Sequence, residues 1–239
     1  MTEPLRSFVR VLAGTLLLAL VPLTAAQVAA GDALVDEGDF RRAIAAYDRA
    51  LTTDANDAVA LYQRSRAQVY LADDDVSLSD EEREALYDAA VADAERAVAL
   101  APDSADAHFE LARALGRTAQ FRGVLQSLNL AARMSDELDE TLSLDPEHAG
   151  AWHARALWHV EVPWIAGGRA GQVVPSFERA IAIEPDVISH RVAFAGVLID
   201  REMFDAAAEH LDAALSIPPR TYLDGMDLEE AQELRARLP

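Results

Sequence analysis

The chain has 239 residues, no cysteine and a formal net charge of −20, with 41 acidic residues against 21 basic ones, every basic residue being Arg. Lack of cysteine excludes a disulfide framework, thiolate zinc sites and a Cys nucleophile. The acidic excess works against phosphate backbones and anionic membranes, so no nucleic-acid partner is expected.

The first element in chain order is an address. "MTEPLRSFVRVLAGTLLLALVPLTAAQ" carries Arg6 and Arg10, an apolar run over residues 11–23, and the small residues Thr24, Ala25 and Ala26. That order of basic, apolar and small segments reads as a secretory signal over residues 1–26. The product would be periplasmic or held in the cell envelope. The apolar stretch 11–26 falls short of the ~20 residues that span a bilayer, so a retained single-pass anchor is the alternative, and it is the only membrane contact expected.

The mature chain repeats itself. "GDFRRAIAAYDRALTTDAND", "ALYDAAVADAERAVALAPDS", "VVPSFERAIAIEPDV" and "MFDAAAEHLDAALSIPPR" share one amphipathic pattern, and Pro102, Pro146, Pro185 and Pro219 close successive units. A second helical stretch precedes each, as in "AVALYQRSRAQVYL" and "AGAWHARALWHV". Helix pairs at a period of about 34 residues imply an all-α solenoid whose neighbouring units bury each other's apolar faces.

On these residues the chain resembles the tetratricopeptide repeat family. Gly31, Ala43, Tyr47 and Ala50 fit its pattern of small and bulky positions in unit 24–57, and Leu61, Ser65, Ala90, Ala97 and Pro102 fit in unit 58–104. Unit 105–148 keeps Ala112 and Pro146, but Met134 and Thr141 stand where small residues belong, which leaves its second-helix register open. Trp152, Ala156, Phe177, Ala180 and Pro185 fit unit 149–187, and Ala195, Ala207, Leu211, Ala214 and Pro219 fit unit 188–221. The resemblance implies a right-handed superhelix. The long inner units, with "DPEHAGAWHARALWHVEVP" and a Gly-rich loop, also look like bacterial relatives of the regulator of microtubule dynamics proteins. Residues 222–239 read as a capping helix, with Asp227 at its start, Glu229 and Glu230 in its first turn, and Leu228, Ala231, Leu234 and Leu238 on one side.

Two stretches invite a site. Asp73, Asp75, Ser77, Ser79, Glu81 and Glu84 have the spacing of a calcium loop, but Leu78 stands where that loop requires Gly. The competing reading is a solvated turn followed by a helix that Ser79 caps, with Glu82 completing a capping box. His153 and His159 are six apart, roughly 240° around a helix, so they cannot share a metal. "AGGRAG" at 166–171 lacks the Lys-Ser/Thr of a phosphate loop and reads as an inter-helix turn, with Trp164 tucked beside it. No catalytic residues, metal or cofactor are expected.

The family resemblance implies that first helices line a concave groove. It places Tyr62, Arg66, Tyr70, Phe109, Arg113, Arg117 and His153 there, an Arg and aromatic stripe suited to a protein or peptide segment, an acidic one matching the guanidiniums. The competing account pairs those Arg residues with neighbouring carboxylates. The expectation is a non-enzymatic interaction scaffold of unknown oligomeric state. The alternatives are a solute-binding protein, with a pocket walled by Trp152, Trp158 and Trp164, and a structural part of an envelope assembly.

Overall fold

The computed structural model describes residues 23–239. The expected signal segment therefore lies outside the described residues except for residues 23–26, which begin the first helix.

Eleven α-helices follow one another among the described residues: α1 (Leu23–Asp36), α2 (Phe40–Thr53), α3 (Ala58–Asp74), α4 (Asp80–Leu100), α5 (Ala105–Arg122), α6 (Val124–Leu144), α7 (Ala149–Glu161), α8 (Val173–Ile183), α9 (Ile188–Asp200), α10 (Phe204–Leu215) and α11 (Tyr222–Arg237). No described helix is long and apolar enough to cross a membrane. The starts are set by side chains that satisfy free backbone N–H groups: Asp39, Asp57, Ser79, Ser104, His148 and Thr221 each accept from the N–H three residues on. Ser79 and Glu82 form a reciprocal capping box, with the Glu82 carboxylate 2.8 Å from the Ser79 N–H. At the other ends, Asp54, Ala101, Asp145 and Glu184 each donate an N–H back to the final turn. Pro102, Pro146 and Pro185 then prevent continuation.

Consecutive helices pack as hairpins and the hairpins stack, an all-α helical solenoid. Small residues sit where helices cross: Ala43, Ala50, Ala90, Ala97, Ala156, Ala180, Ala207 and Ala214 are fully buried, with Tyr47, Phe177 and Leu211 filling the space around them. Gly31 shows how tight the crossing is, since a Cβ there would lie 2.4 Å from the Tyr47 ring.

The third hairpin resolves the odd residues of its second helix. Met134 is accommodated because it faces Gly116, whose absent side chain leaves room for the thioether. Thr141 is fully buried, and its hydroxyl donates to the Glu137 carbonyl at 2.8 Å, so it fills an alanine position without an unpaired polar atom.

Three local expectations are corrected. The stretch 71–74 is the last turn of α3, not a solvated turn. Trp164 is 84% exposed, not tucked, because Pro163 and Gly167 carry a short 3₁₀ turn outward. Asp227 lies inside α11: the helix starts five residues earlier, where Thr221 and Asp224 form a second capping box, and Gly225 is accommodated without a break.

Candidate functional site

First helices of adjacent hairpins touch along α1, α3, α5 and α7, and the wall they build is crossed by α11. One face of α11, formed by Leu228, Ala231 and Leu234, packs with Leu238 just beyond its end into the core of the last hairpins. Its N-terminal end reaches the first. Tyr222 donates its hydroxyl to Asp74 at 2.9 Å, and its ring stands edge-on to Phe40 at 6.0 Å. The ring also covers Gly38, where φ is +79° and a Cβ would come within 2.5 Å of it, so both backbone and contact require glycine. Leu223 joins the core of the first hairpin.

Between α3, α5, α7 and α11 lies a cavity of about 620 Å³. Tyr70, Phe109, Arg113, Arg117 and His153 line it, whereas Tyr62 and Arg66 do not. Trp158 lines it as well, together with Met134, Leu157 and His190, and from α11 Leu223, Met226, Asp227 and Glu230, none of which except Trp158 was expected there. The α11 residues recur at i, i+3, i+4 and i+7, a second helical stripe that becomes visible only when the helix is started at Tyr222. Of the three tryptophans expected to wall a solute pocket, only Trp158 does so; its indole donates to the Ala131 carbonyl at 2.8 Å. Trp152 donates to the Pro146 carbonyl at 2.9 Å and faces a separate depression.

The Arg residues are engaged within the protein. Arg113 donates to the Tyr70 hydroxyl at 2.5 Å, lies 3.4 Å from Glu110, and has its guanidinium 4.8 Å from the Phe109 ring centre. Arg117 pairs with Asp73 at 2.7 Å and also donates to Gln120. Arg66 lies 3.6 Å from Asp32. A device recurs here. Asp32 and Asp73 each also accept a second-helix tyrosine hydroxyl, from Tyr47 at 2.7 Å and Tyr87 at 2.6 Å, so each carboxylate ties its own hairpin to the next. Burial, then the Asp73 hydrogen bond, pushes Tyr87 up to about 12; burial first, with Asp106 next, does the same to Tyr62. The acidic stretch is likewise occupied: Asp75 accepts from the Ser77 hydroxyl at 2.5 Å and pairs with Arg41 at 2.6 Å, which together hold it down to about 2.

His153 and His190 face each other with their Nδ1 atoms 3.0 Å apart, so one ring donates and the other accepts. Burial pushes His153 down to about 3, aided by the neighbouring His190 and Arg113, and pushes His190 down to about 4. Both rings are neutral at pH 7. Asp227 moves the other way: burial, then Glu230 and Asp224, pushes it up to about 6. The lining thus carries five carboxylates, Asp73, Asp74, Glu161, Asp227 and Glu230, against two guanidiniums. Tyr70, Phe109, Leu157 and Trp158 give the same wall an apolar and aromatic part.

The sequence profile of the regulator of microtubule dynamics protein 1-3 family matches residues 27–165, more than half of the chain. No curated protein matches the chain in sequence. Among solved structures, the thermophilic tetratricopeptide-repeat protein TTC0263 of Thermus thermophilus is similar at a TM-score of 0.71 and 20% identity, over 88% of this chain and 99% of that one. PilW, a type IV pilus biogenesis factor, is similar at a TM-score of 0.58 and 17% identity, over 91% of this chain and 92% of its own. Pseudomonas aeruginosa PilF reaches 0.53 at 16% identity, over 89% and 87%. These likenesses show a tetratricopeptide-repeat solenoid.

Proposed function

The chain belongs to the regulator of microtubule dynamics protein 1-3 family, and we propose that this member is a non-enzymatic scaffold of the cell envelope that holds a segment of a partner protein in its concave groove. The observation that carries the reading is the cavity of about 620 Å³ across α3, α5 and α7, walled by Tyr70, Phe109, Leu157 and Trp158 and bounded by α11. Aromatic side chains of this kind hold an extended segment at low entropic cost. Envelope location rests on the basic, apolar and small segments of residues 1–26, and the family match starts at residue 27, just after the expected cleavage. Regulation of microtubules is not carried over to an exported chain.

Photo-crosslinking in intact cells tests the reading. A benzophenone amino acid at Gln120, exposed on the groove side, should capture a discrete protein partner; the same group at Glu178, exposed on second helix α8, should not. Equal capture from both positions, or from neither, would contradict the groove.

A second reading, a solute-binding protein of the envelope, is favoured by one observation, the way α11 roofs the cavity beside Trp158. Native mass spectrometry of the purified chain should then show a retained small molecule, and a mass equal to the polypeptide alone would count against it.

A further inference from the structure

The cavity has an acidic wall without counter-ions. Asp227 and Glu230 stand one turn apart on α11 and line it, and among the described residues neither forms an ion pair. The arginines of α11 are directed elsewhere, Arg235 to Asp212 at 2.8 Å and Arg237 to Glu233 at 3.1 Å. On the facing helices Arg113 is held by Tyr70 and Glu110, and Arg117 by Asp73, so the described residues supply no free cation to this wall. Asp227 is half-buried, and a partly buried carboxylate without a partner is costly, so a cation brought by a ligand removes that cost; Glu230, exposed one turn on, adds a second negative charge beside it. The rise of Asp227 to about 6 expresses the same deficit.

Two further features describe the rest of the occupant. Leu157, Trp158 and Met226 give the acidic wall apolar flanks on α7 and α11. His190, also in the lining, is 5% exposed, and its Nε2 has no hydrogen-bond partner, with a Glu184 carboxylate oxygen 3.8 Å away. The volume lies within the ~300–1,000 Å³ of ordinary ligand sites, room for a few side chains and not for a helix roughly 10–12 Å across. The lining also crosses from the end of α3 to the start of α9, farther than a small amine would occupy.

Resting on the groove reading above, we infer that the occupant is an extended protein segment with one Lys or Arg between apolar residues, its cation set against Asp227 and Glu230 and its neighbours against Leu157, Trp158 and Met226. The polarity is opposite to that of the acidic partner an Arg stripe suggests, because the stripe is neutralised from within.

Fluorescence anisotropy on the full chain tests this with mixtures of capped pentapeptides, fixed at the centre as Arg, Lys, Gln or Glu and varied among Leu, Val and Phe at the flanks. Arg or Lys centres should bind at least roughly tenfold more tightly than Gln, with Glu weakest, and the preference should shrink as salt rises from about 50 to about 500 mM. Asp227→Asn and Glu230→Gln, made separately so that one misfolded variant leaves the other, should each lower the Arg-centred affinity toward the Gln-centred value. Equal binding of Gln and Arg centres would overturn the charge assignment and leave the groove reading standing. Arginine amide alone binding as tightly as the pentapeptides would overturn the protein segment. No pentapeptide binding, with capture still seen from Gln120, sinks this inference alone; no binding and no capture sinks both.

Discussion

The joint between the first two hairpins, and that between the second and third, is charged: Tyr47 and Arg66 converge on Asp32, and Tyr87 and Arg117 on Asp73. The joint between the last two is aromatic. Phe177 is fully buried, stacks on Phe194 at 5.0 Å, and stands edge-on to His153 at 5.5 Å, while His153 meets His190. Charged joints consume the carboxylates and guanidiniums of the concave face and so remove them from recognition. The aromatic joint consumes none, and it is beside that joint that Asp227 and Glu230 remain without counter-ions. Which charges stay unpaired along the groove is therefore decided by how each hairpin is fastened to the next.

The largest expected effect separates the two kinds of joint. Phe177→Ala should cost about 3–5 kcal/mol through lost transfer energy and the cavity left behind. Hydrogen exchange should show the loss in α7 to α10 with α1 to α4 keeping their protection, as nearest-neighbour coupling requires. Uniform loss along the chain would erase the distinction. Asp73→Asn should cost about 1–2 kcal/mol, because the Tyr87 hydroxyl and Arg117 lose a charged acceptor. Urea titrations of both variants at low and at high salt should show the Asp73 effect shrinking and the Phe177 effect unchanged.

The pH dependence probes the aromatic joint alone. The folded values of His153 and His190, about 3 and about 4, lie below the ordinary value of 6.5, so their contribution is complete above pH 6.5 and is lost as pH falls toward 4. Asp227, raised to about 6 from 3.8, has the opposite sign: its contribution is present at acid pH and is lost as pH rises through 6. The two oppose each other between about pH 4 and 6. In Asp227→Asn the urea midpoint should fall more steeply on acidification than in the wild type, and a shallower fall would contradict the assignment. The smallest effect is expected at Tyr222→Phe, about 0.5–1 kcal/mol for one exposed hydrogen bond, read as faster amide exchange in the first turns of α11.

Much of the solenoid was legible because its signals are local. Ser79 and Glu82 announce a helix start three residues apart, Pro102 and Pro185 announce ends, and small residues such as Ala43 and Ala180 mark crossings. The groove was legible only in part. Tyr70, Phe109, Arg113, Arg117 and His153 follow from repeat position, which says which face a residue takes and nothing of its partner. Asp32 is 34 residues from Arg66, and Asp74 is 148 residues from Tyr222, so neither contact leaves a local trace. The placement of α11 was hidden by taking Asp227 as its start, which left Leu223 and Met226 out of its pattern. Met134 looked like a misfit because Gly116, its complement, lies on another helix.

The central claim is that partner protein is held on the first-helix face beneath α11. Hydrogen exchange on the full chain, free and with the partner captured from Gln120, tests it most directly. Protection gained in α3, α5 and α7 and in the first turns of α11, with α2, α4 and α8 unchanged, is the expected result; protection on the second helices with the groove unchanged would contradict it.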